Sequence, residues 1–153
     1  MATKLYALNL PIADVRLRHG NRGDEIFDPL RKKWLLITPE EWVRQNFTAH
    51  LRTSLGYPAG LMANEVSINL NGTSKRCDTV VYDTALHPKM IVEYKAPTIA
   101  ITRQVFEQIG RYNLVLGVEY LTVSNGLSHF CCKVDNESHK FSFLKEIPPY
   151  SML

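Results

Sequence analysis

The chain has 153 residues, of which 45% are hydrophobic, 10% aromatic and 22% charged. This is ordinary globular composition at single-domain length, and it excludes a disordered, collagenous or low-complexity chain. Eighteen Lys and Arg residues against fifteen Asp and Glu residues leave a net charge of +3, which is compatible with a polyanionic partner but too small to indicate one.

Residues 1–37 are predicted to form an irregular N-terminal arm with short extended pieces, followed by one domain over residues 38–153. Turn-forming residues occur at 19–21 and 22–24. Between residues 15 and 33, six Lys and Arg residues outnumber three acids, so this stretch is the most basic part of the chain. The arm is interpreted either as a solvated loop surface or as a segment that contacts phosphates.

The first helix is predicted to run from about residue 39 to 55. Thr38 is a suitable N-cap, Pro39 suits the first helical position, and Glu41 completes a capping box. Apolar residues recur at four-residue spacing and mark the buried face of this helix: Val43, Phe47 and Leu51.

Three strand-like segments follow, at residues 63–70, 75–83 and 89–95. Asn71-Gly72 indicates a hairpin between the first two, with a loop slightly longer than two residues. A second helix is predicted from about residue 102 to 116, ending at Gly117. Further strands are predicted at 118–123, 128–134 and 139–145, so the order is helix, three strands, helix, strands, in an α/β (α+β) chain.

Two acids and a lysine lie within these apolar strands. Alternation along residues 89–95 places Glu93 and Lys95 on one face, and Asp78 lies in the preceding strand, where an unpaired charge is costly to bury. A Mg²⁺ ion would satisfy the acids, because it takes one or two carboxylates and keeps waters for a phosphate-bearing substrate. Lys95 would then orient or deprotonate the attacking water, or offset charge on the phosphate. The structural alternative is a salt bridge from Lys95 to Asp78 or Glu93.

Other chemistries have weaker support in the sequence. The five histidines show no HxxxH or HxH spacing, and no GxSxG, GxxxxGK[ST] or GxGxxG motif occurs. Three cysteines without CxxC spacing, no signal peptide and no long apolar run lead us to expect a cytoplasmic protein that does not enter a membrane.

Four segments in order resemble the N-terminal nuclease domain of the restriction subunit of type I restriction-modification enzymes, which belongs to the PD-(D/E)XK nuclease superfamily. They are RCDTVVY (76–82), IVEYKAP (91–97), QIGRYN (108–113) and SNG (124–126). The resemblance extends upstream through residues 26–29 and 38–45, and covers about residues 25–130. It implies a restriction-endonuclease-like core with a mixed central β-sheet flanked by helices, in the order α-β-β-β-α-β with extra strands.

By this resemblance, Asp78 and Glu93 correspond to the metal-binding acids and Lys95 to the catalytic lysine. Gln108 and Tyr112 match the Gln-x-x-x-Tyr signature and would face the active site or the nucleic acid, although Tyr112 also suits helix packing.

Many such nucleases add a glutamate from the first helix to the metal site. Glu40 and Glu41 both qualify by position. Glu40 is favoured because it shares a face with the buried stripe, whereas Glu41 is assigned to the capping box. Glu65 is interpreted as structural support that pairs with Arg76 across the hairpin.

The sequence therefore predicts a DNA endonuclease dependent on Mg²⁺ or Mn²⁺, with backbone contacts from Arg44, Arg103, Arg111 or the basic arm. Cys77 stands where the superfamily name has proline, and no motor motif is present, so a motor or modification subunit on another chain is an expected partner. One alternative is a module of this fold that binds nucleic acid or protein and is inactive alone, or active only in a larger complex. Another is a globular domain whose acids and lysine are only salt bridges.

Overall fold

The computed structural model describes residues 4–70 and 72–153, apart from the side chains of residues 70, 73, 112 and 115. Its two helices are α1 (Pro39–Ser54) and α2 (Arg103–Leu116). Its strands are β1 (Leu17–Gly20), β2 (Gly23–Asp28), β3 (Lys33–Leu36), β4 (Met62–Leu70), β5 (Thr73–Tyr82), β6 (Pro88–Tyr94), β7 (Tyr120–Ser124), β8 (His129–Asp135) and β9 (Lys140–Phe143). Short 3₁₀ turns lie at Ala59–Leu61 and Tyr150–Met152.

Strands β4 to β9 form one sheet in sequence order. The β6–β7 pair is parallel and every other neighbouring pair in this sheet is antiparallel. A parallel pair needs a crossover connection, and α2 provides it between β6 and β7. The predicted fold class, a mixed sheet with helices in the order α-β-β-β-α-β and extra strands, is confirmed.

The two helices contribute to separate cores that share the sheet. The first core joins the α1 residues Val43, Phe47 and Leu51 to Met90, Val92 and Tyr94 of β6. The second core joins Phe106 and Leu116 of α2 to Ile91 of the same strand. The predicted alternation of β6 is therefore confirmed, because odd and even positions of this strand enter different cores.

The N-terminal residues form a three-stranded antiparallel sheet, β1-β2-β3, where we expected an irregular arm with short extended pieces. Arg16 and Arg18 lie over the Trp34 ring, at 5.3 and 4.3 Å from its centroid, and Arg18 Nε donates to Glu25 Oε1 at 2.7 Å. Cation–π contacts and cross-strand ion pairs thus hold residues that composition alone assigned to loops or phosphate contacts.

Residues before β1 pack on the sheet and on α1. Trp42 Nε1 donates to the Tyr6 carbonyl at 2.9 Å, and the Asn9 backbone N–H donates to the Gly126 carbonyl at 2.8 Å. These contacts join segments more than thirty residues apart. The division of the chain at residue 37 stays a prediction.

The β4–β5 hairpin is present as predicted. Leu70 pairs with Thr73, so two positions connect the strands, two fewer than our strand limits allowed. Of these, Asn71 lies outside the described residues, and Gly72 has φ of +74°, which suits a tight hairpin turn. Among the described residues, no helix is long and apolar enough to span a membrane.

Candidate active site

Asp78 and Glu93 lie side by side on neighbouring strands. Thr79 of β5 pairs with Val92 of β6, and the next position in this antiparallel register places Asp78 opposite Glu93. Asp78 Oδ2 accepts a hydrogen bond from the Tyr94 backbone N–H at 2.9 Å. Glu93 is only 8% exposed, so the structure brings the two predicted metal-binding acids together in a largely buried position.

The environment of Glu93 disfavours its negative charge. Burial raises the pKa of Glu93 to about 8, and the adjacent Asp78 carboxylate adds to this through its charge and a hydrogen bond. The Lys75 ammonium, which contacts Glu93 Oε1, opposes the increase without cancelling it. Two carboxylates this close favour a proton or a cation between them.

Lys75 is a residue that sequence reasoning missed at this site. Strict alternation along β5 assigns Lys75 and Asp78 to opposite faces, so periodicity indicated no contact between Lys75 and the acid pair. Strand β4, which pairs with β5, has an irregular backbone opposite this region. Glu65, between the paired positions Asn64 and Val66, has φ of +57°, an uncommon and strained conformation for a residue with a side chain.

Lys95 follows β6 directly and is half-buried. Its backbone N–H donates to the Ser124 carbonyl at 2.9 Å, which extends the parallel pairing of β6 with β7 by one residue. Within the described part of the chain, no ion pair joins Lys95 to Asp78 or Glu93. The salt bridge expected from Lys95 to Asp78 or Glu93 is therefore replaced by an ion pair between Lys75 and Glu93.

The first turn of α1 differs from the expected arrangement of its two acids. Thr38 Oγ1 accepts from the Glu41 N–H at 3.0 Å, so the N-cap is confirmed. The Glu41 side chain, however, points inward and accepts from Arg31 Nη2 at 2.8 Å and Gln45 Nε2 at 3.0 Å. Glu40 is exposed. The reason for favouring Glu40 was therefore wrong, since the Glu41 carboxylate is the buried one and it binds these side chains.

Arg44 is a structural residue, which corrects our expectation that it contacts a nucleic-acid backbone. It is 6% exposed, and its guanidinium donates to the Asp78 carbonyl at 2.9 Å and to Glu65 Oε1 at 2.6 Å. Its Nε lies 3.2 Å from Glu41 Oε2. A buried guanidinium among these groups is not placed to meet a phosphate at the surface. Instead, Arg44 ties α1 to the segment that contains Asp78.

Glu65 has the supporting role that the sequence predicted. Arg76 Nε donates to Glu65 Oε2 at 2.7 Å, while the other carboxylate oxygen binds Arg44. These hydrogen bonds from two arginines outweigh partial burial and lower the pKa of Glu65. The ionised Glu65 thus bridges β5 and α1 beside Asp78.

A buried polar network lies behind the acid pair. Thr79 Oγ1 donates to Asn64 Oδ1 at 2.6 Å and lies 2.9 Å from the Tyr94 hydroxyl. Asn64 Nδ2 donates to Asp28 Oδ2 at 3.0 Å. The network connects the N-terminal sheet to β4, β5 and β6. It was not predicted, because its members are polar residues with no sequence motif in common.

Three residues of α2 that were predicted to contact nucleic acid or to face the active site lie at the surface. Arg103, Gln108 and Arg111 are all exposed, and Arg103 Nε donates to Glu107 Oε1 at 3.0 Å. The Tyr112 side chain lies outside the described residues. The roles of these residues stay predictions.

The donor set at the acid pair matches what a hard divalent cation takes from a protein. In the part of the chain that the structure describes, no group of three or more His, Cys, Asp and Glu side chains is arranged to hold a metal. Asp78 and Glu93 supply two carboxylates, and Mg²⁺ commonly binds one or two and completes its octahedral shell with water and phosphate oxygens. The residues present therefore fit such an ion.

Comparison with protein families identifies a family for most of the chain. The model of the family described as type I restriction enzyme R protein N terminus matches residues 39–148, well over half of the chain. The matched segment starts at α1 and includes both acids and Lys95, and it omits β1, β2 and β3. A comparison with curated proteins found no match.

Proposed function

Because the chain belongs to the family of type I restriction enzyme R protein N termini, we propose that it is a metal-dependent endonuclease domain that hydrolyses DNA phosphodiester bonds. The family supports a nuclease of a restriction system. The single observation on which the proposal rests is the adjacent pair of carboxylates formed by Asp78 in β5 and the buried Glu93 near the end of β6.

Mg²⁺ or Mn²⁺ is the cofactor that this pair would hold. Oxygen donors suit both ions, and the raised pKa of Glu93 indicates that the local positive charge is insufficient for two ionised acids. When bound, the ion supplies positive charge that offsets the charge developing on the scissile phosphate.

The protein's own residues would position the reacting groups. The Tyr94 N–H fixes one oxygen of Asp78, and the Thr79–Tyr94 hydrogen bond holds β5 against β6. By strand alternation, Lys95 projects from the same face as Glu93. In the proposed reaction its ammonium holds the attacking water against the phosphate, or offsets charge on a phosphate oxygen.

DNA is the proposed substrate. Arg103, Gln108 and Arg111 on the exposed side of α2 would contact its backbone, with affinity that depends on salt and little on sequence. A motor or modification subunit on another chain is the proposed partner, and the cytoplasm the proposed location.

Cleavage of DNA by the purified chain tests the proposal. Supercoiled, linear and branched DNA are incubated with the protein in Mg²⁺ or Mn²⁺, and we expect cleavage that a chelator abolishes. Lys95→Ala should lower the rate by about 10²-fold or more, as loss of one transition-state contact does. Lys145→Ala, which removes an exposed lysine, is the matched control and should cleave like the wild type.

Equal cleavage by Lys95→Ala and the wild type would contradict the assignment and indicate a contaminating nuclease. A wild type that binds DNA without cutting it would support the alternative of a module that is inactive alone.

A further inference from the structure

A groove lined by aromatic side chains lies between the start of α2 and strands β8 and β9. Its volume is about 600 Å³. Four phenylalanines line it, and two cationic side chains stand at its rim: Phe106, Phe130, Phe141, Phe143, Arg103 and Lys140. Neither the family match nor the proposed metal site assigns a role to this groove.

Two of the four phenyl rings are exposed, and packing against another ring holds one of them in place. Phe143 is 61% exposed and Phe130 is 38% exposed. Phe143 packs against the buried Phe106, with ring centroids 4.9 Å apart and planes tilted by 48°. Phe106 also meets Phe141 edge to face, at 6.2 Å and 85°. Phe143 therefore presents aromatic surface to solvent from a position already ordered by packing, which limits the entropy lost on binding a ligand.

The rim of the groove is suited to phosphate groups. Arg103 is almost fully exposed, and its helical partner Glu107 is also more than half exposed, so their ion pair is weak and open to competition. Lys140 is exposed at the start of the edge strand β9. Aromatic faces next to cations are the combination that binds single-stranded nucleic acids, since bases stack on the rings and phosphates contact the cations.

The groove opens on the same face of the sheet as the proposed catalytic acids. The pairing registers place Glu93, Val123 and Phe130 in one row across β6, β7 and β8, and continuing the β5–β6 register by one position adds Asp78 to this row. Because neighbouring strands are about 4.8 Å apart, Phe130 lies roughly 10 Å from Glu93 along this row. The groove thus lies two strands away from Glu93 on one face of the sheet, with the buried Val123 between them.

We propose that this groove binds unpaired bases of DNA next to the scissile phosphate, with Phe143 and Phe130 as stacking surfaces and Arg103 and Lys140 as phosphate contacts. This inference rests on the proposed function and specifies the form of its substrate as a single strand or a splayed end. A closed duplex keeps its bases stacked on each other and leaves these rings without a partner.

Binding without cleavage tests the inference separately from the nuclease proposal. The affinity of the full chain for a fluorescein-labelled oligothymidylate is measured by fluorescence anisotropy in a chelator, and compared with its affinity for a closed hairpin duplex. Phe143→Ala should weaken oligothymidylate binding about tenfold, within the range that stacking of one base supplies. Phe143→Leu should weaken it to a similar extent, because leucine keeps apolar volume but offers no ring. Leu86→Ala, at an exposed apolar residue outside the groove, should bind like the wild type.

Variants of Arg103 and Asp78 distinguish binding in the groove from cleavage at the metal site. Arg103→Gln should weaken binding and reduce its salt dependence, and circular dichroism verifies that each variant is folded. Asp78→Asn should abolish cleavage and leave oligothymidylate binding intact. If oligothymidylate binding depends on Phe143 but the wild type does not cleave DNA, the proposed groove is supported and the proposed nuclease activity is contradicted.

Equal affinity of Phe143→Ala and the wild type for oligothymidylate would overturn the inference, as would tighter binding of the duplex. Self-association of the wild type that Phe143→Ala abolishes, without any binding of the oligothymidylate, would also overturn it, by identifying a second copy of the chain as the occupant.

Discussion

At the scale of single residues, Glu93 is a carboxylic acid whose surroundings disfavour its ionised form. It is buried, next to Asp78, and Lys75 balances it only in part. A fold that keeps such a pair loses stability at neutral pH unless a cation joins it. Ionisation of Glu93 should therefore lower the free energy of unfolding of the metal-free protein.

The pH dependence of stability should reveal Glu93. Its pKa is about 8 in the folded chain and near 4.5 in an unfolded one, so between these values the folded state binds more protons. The stabilising contribution is complete below pH 4.5 and is lost as pH rises through 8. In a chelator, the wild-type free energy of unfolding should fall by about a few kcal/mol across this window. Glu93→Gln, which imitates the protonated acid, should lack that part of the decrease in thermal or urea unfolding.

Glu107→Gln is the control for this measurement, because the residue is an exposed acid on α2. Its free energy of unfolding should depend on pH as that of the wild type does. Adding Mn²⁺ at pH 8 should raise the melting temperature of the wild type and not that of Glu93→Gln. Parallel pH profiles for the wild type and Glu93→Gln would show that Glu93 is not destabilised when charged.

At the scale of elements, the contact between α2 and β9 depends on one glycine. Gly110 is buried in the helix, and a Cβ atom placed there would lie 2.8 Å from Phe141 Cζ. This distance is too short for two carbon atoms. The absence of a side chain thus lets the edge strand pack closely on the helix and shapes the base of the aromatic groove.

Gly110→Ala should destabilise the chain in spite of its better helix propensity. Alanine stabilises a helix by about 1 kcal/mol relative to glycine, whereas displacing the packed Phe141 ring costs about 1–3 kcal/mol. We expect a net loss of about 1 kcal/mol in urea unfolding. Gly60→Ala, at an exposed position with open space, should be nearly neutral.

A second substitution separates the two contributions at position 110. Phe141→Leu removes the ring that the new methyl group meets, so the double variant should be more stable than the sum of the single changes predicts. An increase of about 1 kcal/mol in Gly110→Ala alone would mean that Phe141 moves aside without cost, and would contradict this account of the contact.

At the scale of the whole molecule, the parts predicted from sequence are those governed by local rules. Helix α1 was expected from its N-cap and apolar spacing and was observed over Pro39–Ser54, and α2 ends at Gly117 as its αL conformation requires. The acid pair followed from strand alternation and from the resemblance. Capping, periodicity and motif order act within a few residues or along one strand, and so they are legible in the sequence.

The parts that were not predicted depend on contacts between distant segments. Arg44 is buried because Glu65 and the Asp78 carbonyl meet it from residues more than twenty positions away. The N-terminal sheet forms through Trp34 and its arginine partners, and Lys75 reaches Glu93 from the neighbouring strand. The aromatic groove likewise combines phenylalanines from α2, β8 and β9. Tertiary packing determines the burial and the partners of these side chains, and local sequence patterns do not predict them.

Titration with Mn²⁺ tests whether Asp78 and Glu93 form a divalent metal site. Calorimetry or the electron paramagnetic resonance signal of free Mn²⁺ measures binding to the purified chain. We predict that the wild type binds Mn²⁺, that Asp78→Asn weakens this binding about tenfold or more, and that Glu146→Gln, at an exposed acid, leaves it unchanged. A wild type that binds no Mn²⁺, or equal binding by Asp78→Asn and the wild type, would show that the two acids do not form a metal site.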